Sequence, residues 1–219
     1  RAPRRIYNRA MQLRPRSLLT LIVLTAVPFL AVQGEPNKLT PEEAKAGWRL
    51  LFDGKSRKGW EARSTFDKAS TGDWSVKNGA IACGGTKPGW IHTDDSFSDF
   101  QLRLEFRGAQ TVNSGVFLRS SKEGEPHKTG YELQIWDTQP AGFNTGSLVG
   151  SVKAPPAKLV GGEWNTYDIT AKGSHFLVVL NGKTVLDAND PQHKAGVIGF
   201  QCQVDNPIEF RSIRVRAIR

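Results

Sequence analysis

The chain has 219 residues and carries 30 Lys and Arg against 21 Asp and Glu, a formal net charge of +9. Six of the basic residues lie within the first 16 positions, so the remainder holds 24 bases against 21 acids. The remaining positive charges are scattered among acids, which argues against nucleic acid as a partner. The roughly 185 residues after position 34 suit one domain with a substantial core.

Residues 1–34 have the pattern of a secretory signal peptide. A basic stretch without acids precedes an apolar run over 17–32, and small residues permit cleavage just before Glu35. A start at Met11 gives a signal of ordinary length, with residues 1–10 upstream of the true start. The alternative is an uncleaved membrane anchor, for which the run is short and contains Pro28. We expect a secreted or periplasmic protein with no stable membrane insertion after cleavage.

A linker with a short helix follows, over residues 35–46. Thr40 has the features of an N-cap, Pro41 stands at the first helical position, and Glu43 lies three residues after the cap. This pattern predicts a helix over about 41–46.

From residue 47 to 219 the sequence consists of short β-rich runs separated by Gly, Asn, Asp and Pro. Such spacing is typical of a sandwich of two antiparallel sheets. The Asn-Gly pairs at 78–79 and 181–182 supply the positive φ angles that two-residue hairpin turns require. Cys83 and Cys202 each lie in a strand-like run, so a single disulfide and two buried thiols are both open.

The run from 113 to 137 is the densest in chemically capable side chains and predicts two strands joined by a polar loop. Alternation places Glu132, Gln134 and Trp136 on one face of the second strand. If the two strands pair, Arg119 of the first strand can join Glu132 and Gln134 there. Such a face offers fixed donors, acceptors and a flat ring to a sugar. A solvated outer face is the alternative interpretation.

The chain resembles the 3-keto-disaccharide hydrolase family over roughly residues 39–219. The shared phrases, in order, include GWRLLFDGKS (47–56), NSGVFLR (113–119), GYELQIWD (130–137), GEWNTYDI (162–169) and GVIGFQ (196–201). The resemblance implies an all-β, concanavalin-like jelly roll from glycan-degrading bacteria, acting on glycosides oxidised at C3. The sequence departs from the family pattern at Trp136 and Val149, where a smaller aliphatic residue and a Tyr are expected.

A ketone at C3 acidifies the C2 proton, so the glycosidic bond can break by elimination. This needs a base at C2, a positive group or metal for the enolate, and an acid for the leaving oxygen. We predict Glu132 as the base, Arg119 beside the enolate, and Asp137 as the acid or a metal ligand. The expected partner is a glycan or an oxidised disaccharide, bound by Asn113, Gln134, Trp136 and Trp90.

A divalent metal ion is an open alternative for the enolate. His92 stands near Asp94 and Asp95, and His127 stands near Glu125, but neither spacing is diagnostic of a metal site. The alternative for each His is an ordinary solvated loop residue, and no cofactor is otherwise required.

Three other functions remain open. In jelly-roll glucanases two carboxylates flank the bond, but Glu132 and Asp137 would lie roughly 16 Å apart on a regular strand rather than about 5–5.5 Å. A lectin-like module would use the same face, with Trp136 and Trp90 as stacking platforms and no catalysis. A structural sandwich would serve protein contacts alone. Release of the aglycone distinguishes an enzyme from a binder.

Overall fold

The computed structural model describes residues 35–65 and 70–218. The predicted signal peptide lies outside these residues. Within them, no helix has the length and apolar character needed to cross a membrane.

The predicted helix is present as α1, Pro41–Lys45, and its capping box is complete. Thr40 Oγ1 accepts from Glu43 N at 3.2 Å, and Glu43 Oε2 accepts from Thr40 N at 3.0 Å. A second helix, α2, spans Pro126–Thr129 inside the segment predicted as a polar loop. Pro126 at its first turn is the sequence signal that marks its start.

The remaining elements are thirteen strands in two antiparallel sheets, which confirms the predicted all-β jelly-roll sandwich. They are β1 Arg49–Leu50, β2 Trp60–Arg63, β3 Trp74–Lys77, β4 Ala80–Cys83, β5 Gly89–Phe97, β6 Phe100–Gly108, β7 Ser114–Ser120, β8 Tyr131–Ile135, β9 Asn165–Lys172, β10 His175–Leu180, β11 Lys183–Asn189, β12 Gly196–Cys202 and β13 Ile208–Ala217. The eight-stranded sheet has the order β11-β10-β9-β6-β13-β4-β3, with β1 beside β13. The five-stranded sheet has the order β2-β5-β12-β7-β8.

Both predicted Asn-Gly hairpins are confirmed. Asn78 and Asn181 have φ angles of 49° and 48°, and the glycines that follow them have φ angles of 74° and 78°. These turns join β3 to β4 and β10 to β11, and they set the register of each hairpin.

The main core fills the space between the sheets. Strand β6 alternates strictly, with Phe100, Leu102, Leu104 and Phe106 buried and the residues between them half-buried on the other face. The rings of Phe200 on β12 and Phe210 on β13 stack at 4.0 Å and so join the two sheets. Apolar side chains from both inner faces therefore hold the sandwich together.

A disulfide also joins the sheets. Of the two alternatives for the cysteines, a disulfide or two buried thiols, the structure contains the disulfide. Cys83 on β4 and Cys202 on β12 are linked with their Cα atoms 5.6 Å apart. The bond closes a separation of 119 residues and fixes the end of β12 against the eight-stranded sheet.

Candidate active site

The face of the five-stranded sheet that points away from the main core is called the site face below. One row of residues crosses it strand by strand: His92 on β5, Gly199 on β12, Phe117 on β7 and Glu132 on β8 stand opposite one another. In a second row Trp90 stands opposite Gln201, and Gly115 opposite Gln134. Their neighbours along each strand belong to the main core, so these two rows point outward.

The site face has an apolar floor. Trp90, Phe117 and Val197 form a small buried cluster separate from the main core. The Trp90 ring meets the Phe117 ring edge-on, with centroids 5.6 Å apart. A Cβ atom at Gly199 would lie 2.8 Å from Trp90 Cε3, so the glycine allows the indole to lie across β12. A flat apolar floor with polar side chains around it is the composition expected of a ligand site.

Glu132 is the buried carboxylic acid of this face. Only 7% of the residue is exposed, and this burial raises the pKa of its carboxyl to about 7. The backbone carbonyl of Glu132 accepts from Val149 N at 2.9 Å. The departure from the family pattern at position 149 therefore lies directly beside Glu132. A carboxyl that titrates near neutral pH is suited to general base catalysis.

Gly115 supports the Glu132 side chain from the neighbouring strand. A Cβ atom at Gly115 would lie 2.7 Å from Glu132 Oε1 and 2.9 Å from its Cγ. The carboxyl therefore lies over the bare backbone of β7. Gln134, also buried, follows on the same face two residues later, so the structure brings this predicted pair together.

The prediction that Arg119 meets Glu132 is wrong. Arg119 has a φ angle of 55°, which breaks the strand alternation and turns its side chain away from the site face. Its guanidinium donates to the carbonyls of Ser98, Gly173 and His193 and to Asp99 Oδ1, at distances of 2.7 to 3.2 Å. The group also lies 5.3 Å from the centroid of the Phe176 ring, a member of the main core. Arg119 therefore has a structural role.

The predicted roles of Asp137 as acid or metal ligand find no support. Its Oδ1 accepts from Thr145 Oγ1 at 2.6 Å, and its Oδ2 accepts from Gln110 Nε2 and Leu159 N, both at 2.8 Å. These three donors hold the carboxylate as an acceptor that anchors loops. Strand β8 keeps regular register with β7 from Tyr131 to Ile135, with no bulge within that range, and Asp137 lies beyond its end.

The remaining predicted binding residues lie in different environments. Trp90 is fully buried in the floor of the site face, so it is not the exposed stacking platform that the sequence suggested. Trp136 is half-buried just beyond the end of β8. Asn113 is half-buried just before β7, and its backbone N donates to Asn206 Oδ1 at 2.7 Å.

Neither predicted metal cluster is formed. His92 is buried on the site face, whereas Asp94 and Asp95 are exposed and Asp95 pairs with Arg49 at 2.8 Å. The physical reason is a register shift between β5 and β12 beside these acids. His127 pairs with Glu125 at 3.5 Å. Within residues 35–65 and 70–218, the one group of three metal-capable side chains is Asp73 with the two disulfide-bonded cysteines.

Sequence reasoning missed Gln201, Glu61 and Arg63. Gln201 is 6% exposed and stands opposite Trp90. Glu61 and Arg63 on β2 stand opposite His92 and Trp90, and they pair with each other at 2.9 Å. Alternation through the run 196–202 would have placed Gln201 on an outward face, but only the sheet order shows which residues share that face.

The two antiparallel sheets and the site face define a jelly-roll protein with a candidate ligand site on one face. The chain belongs to the family of the 3-keto-alpha-glucoside-1,2-lyase-like domain, whose model matches residues 47–216. No curated protein is similar enough in sequence to count as a relative.

Solved structures with the same fold come from several proteins. A proposed glycosyl hydrolase from Parabacteroides distasonis has 22% identity and a TM-score of 0.72, covering 84% of this chain and 100% of its own. A second proposed glycosyl hydrolase from that organism has 24% identity and a TM-score of 0.62, covering 78% of this chain and 99% of its own. A carbohydrate-binding module from Bacillus subtilis has 18% identity and a TM-score of 0.56, covering 73% and 96%. At these identities the likeness establishes the fold.

Proposed function

We propose that the protein cleaves the glycosidic bond of 3-keto-glycosides by removing the proton at C2. The observation that carries this proposal is the buried Glu132 carboxyl on the site face, with its pKa raised to about 7. Membership of the 3-keto-alpha-glucoside-1,2-lyase-like family supports the oxidised sugar as the substrate class.

The Glu132 carboxylate takes the C2 proton, and the electrons of that bond form an enolate with the C3 oxygen. As the C3 carbonyl re-forms, a double bond forms between C1 and C2 and the C1 substituent leaves. Protonated Glu132 can return its proton to the leaving oxygen, since C1 and C2 are neighbours, and this removes the need for Asp137 as an acid. Water then adds at C1 and a proton at C2. Below pH 7, kcat/KM should fall about tenfold per pH unit as Glu132 protonates.

The enolate needs a partner other than Arg119, whose side chain is turned away from the site face. The Gln134 side-chain amide is a donor on the same face, two residues along β8 from the base. A divalent cation is the alternative, and sensitivity to a chelator separates the two.

The test uses chromogenic 3-keto-glucosides of both anomers and their unoxidised parents, each with and without a chelator. We expect release from a 3-keto compound only, and at least a hundredfold loss in Glu132→Gln, which keeps the shape and removes the basicity. Glu105→Gln, on the outer face of the other sheet, is the matched control and should keep full activity. Undiminished turnover by Glu132→Gln would overturn the assignment.

One observation favours a carbohydrate-binding module as the second candidate. Arg119 and Asp137 are both engaged elsewhere, and Glu61, the other carboxyl on the site face, is paired with Arg63 and lies four strands from Glu132. A lone buried carboxyl can serve hydroxyl binding as well as proton abstraction. Retention of the 3-keto-glucoside without release of the chromophore would establish the binding module.

We also propose that the protein is exported. The leader-like pattern of residues 1–34 supports this, and the Cys83–Cys202 disulfide suits an oxidising compartment. N-terminal sequencing of protein recovered outside the cytoplasm should begin at Glu35, and an intact leader on that protein would contradict cleavage.

A further inference from the structure

Four buried polar atoms on the site face have no hydrogen-bond partner in the described part of the chain. They are Arg63 Nε, Trp90 Nε1, His92 Nε2 and Gln201 Oε1. Trp90 stands opposite Arg63 on β2 and Gln201 on β12, and the Trp90 and His92 ring centroids lie 4.7 Å apart. Buried polar atoms are almost always paired in folded proteins, so four unpartnered atoms on one patch indicate a missing ligand or ordered water.

The hydrogen-bonding character of each atom can be assigned. His92 Nδ1 lies 2.9 Å from the carbonyl oxygen of Thr93, and a carbonyl only accepts, so Nδ1 carries the proton. Nε2 is therefore an acceptor, and burial lowers the pKa of His92, which keeps the ring neutral. The Gln201 oxygen also accepts, whereas the indole of Trp90 only donates. The Arg63 Nε–H also donates, so the patch offers two acceptors and two donors.

This set fits two neighbouring hydroxyl groups, because each hydroxyl both donates and accepts. An anion would face two acceptors here, beside an Arg63 guanidinium whose charge is already paired with Glu61 at 2.9 Å. The set does not fit a metal ion either, because an indole N–H is no ligand and no group of three metal-capable side chains in the described ranges includes His92.

The patch lies away from Glu132 across the sheet. Strands β12 and β5 are two and three positions from β8, which at about 4.8 Å per strand gives lateral separations of roughly 10 and 14 Å. Side chains stand nearly perpendicular to a sheet, so their functional atoms keep much of this separation. A single pyranose ring is too small to contact both Glu132 and the patch.

We propose that Trp90, His92 and Gln201 form a second sugar subsite, which binds two neighbouring hydroxyls of the leaving unit of a disaccharide while Glu132 acts on the oxidised unit. The direction of the substrate rests on the proposed function. The subsite itself rests on the unpartnered atoms of these three residues.

The test compares binding of disaccharides and single sugars by calorimetry. The probes are maltose, trehalose and cellobiose against methyl α- and β-glucoside, all unoxidised, so that no chemistry intervenes. The wild-type protein should bind at least one disaccharide more tightly than either methyl glucoside. Gln201→Met removes the side-chain amide at nearly constant volume, and Trp90→Phe removes the indole N–H together with one ring, so each should reduce that preference about fivefold. Affinity for the methyl glucosides should not change.

A stability measurement excludes a folding defect. Because Gln201 Oε1 has no partner in the folded chain, Gln201→Met should keep or raise the melting temperature while it weakens disaccharide binding. Gln101→Met, on the outer face of the eight-stranded sheet, is the control and should leave binding unchanged.

The outcomes separate the two proposals. Equal loss of affinity for disaccharides and methyl glucosides, no loss in either variant, or no preference for any disaccharide would overturn the subsite. A preference that Trp90→Phe and Gln201→Met abolish would establish it, even if no 3-keto-glucoside is cleaved. Absent cleavage alone would overturn the proposed function.

Discussion

The outer faces of the two sheets carry similar residue types but differ in whether their polar groups are paired within the protein. On the eight-stranded sheet charged side chains pair with one another, as Arg107–Glu209 at 2.5 Å and Arg211–Glu105 at 2.6 Å illustrate. Both arginines also stack on the Trp164 ring, at 4.5 and 3.9 Å from its centroid. These side chains satisfy one another's charge and hydrogen bonding.

The site face is built from polar groups that the protein leaves unsatisfied. The Glu132 carboxyl is desolvated enough to titrate near pH 7, and the nitrogen and oxygen atoms on β5 and β12 lack partners. Each such group costs stability, and the cost is recovered only when a ligand binds. Unpaired polar groups, rather than polar groups as such, therefore locate the site on this fold.

The largest expected effect comes from removing the disulfide that links the two sheets. Replacing Cys83 and Cys202 by Ala opens a loop of 119 residues. Loop entropy predicts a loss of about 4 to 5 kcal/mol in the free energy of unfolding. Urea denaturation of the double variant and of the wild type measures it, with reduced wild type as the control. A loss below about 1 kcal/mol would show that the apolar core alone holds the sheets.

The next effect tests the cost of burying Glu132. Its carboxyl titrates near 4.5 when unfolded and near 7 when folded, so the wild type is progressively destabilised as pH rises between these values. Gln does not titrate. Glu132→Gln should therefore gain up to about 3 kcal/mol relative to the wild type above pH 7 and nothing below pH 4.5.

The measurement is the difference in unfolding free energy between these two proteins from pH 4 to pH 8. All other groups titrate in both proteins and cancel in that difference. A pH-independent difference would mean that the Glu132 carboxyl is solvated.

A somewhat smaller effect concerns the position of the base. Gly115→Ala places a methyl group against the Glu132 carboxyl, 2.7 Å from Oε1 before relaxation. Turnover of the 3-keto-glucoside should fall about a hundredfold, as expected when a catalytic group is displaced by about 1 Å. The backbone at Gly115 needs no positive φ, so the melting temperature should change little.

A double-mutant cycle supplies the control. In the Glu132→Gln background, Gly115→Ala should have no further effect on the residual rate, because the base is already absent. Additive losses would mean that the methyl group disturbs the substrate and not the base.

Much of the fold follows from local patterns in the sequence. The capping box at Thr40, the two Asn-Gly turns and the alternation of β6 each depend on residues close in the chain, and all appear in the structure. Glu132 and Gln134 also share a face as alternation predicts.

The rest of the site depends on contacts that local patterns do not encode. One positive φ angle at Arg119 breaks the strand alternation. Donors that lie 8 to 27 residues away in sequence hold the Asp137 carboxylate. Gln201 and Trp90 come together only because β12 lies beside β5. Whether a buried polar atom lacks a hydrogen-bond partner is a property of the packed structure, so sequence periodicity could not have identified these unpartnered atoms.

The smallest expected effect concerns an ion pair on the outer face of the eight-stranded sheet. Glu209→Gln removes the charge opposite Arg107, whose Nε and Nη2 both donate to Glu209 Oε2 at 2.9 and 2.5 Å. Both side chains are partly exposed, so the loss should be only about 0.5 to 1 kcal/mol and should shrink in high salt, with turnover unchanged. Gln201→Met on the site face should shift stability in the opposite direction and weaken sugar binding. If both variants lost stability equally, the orphan atoms of the site face would have partners after all, and the distinction between the two faces would fail.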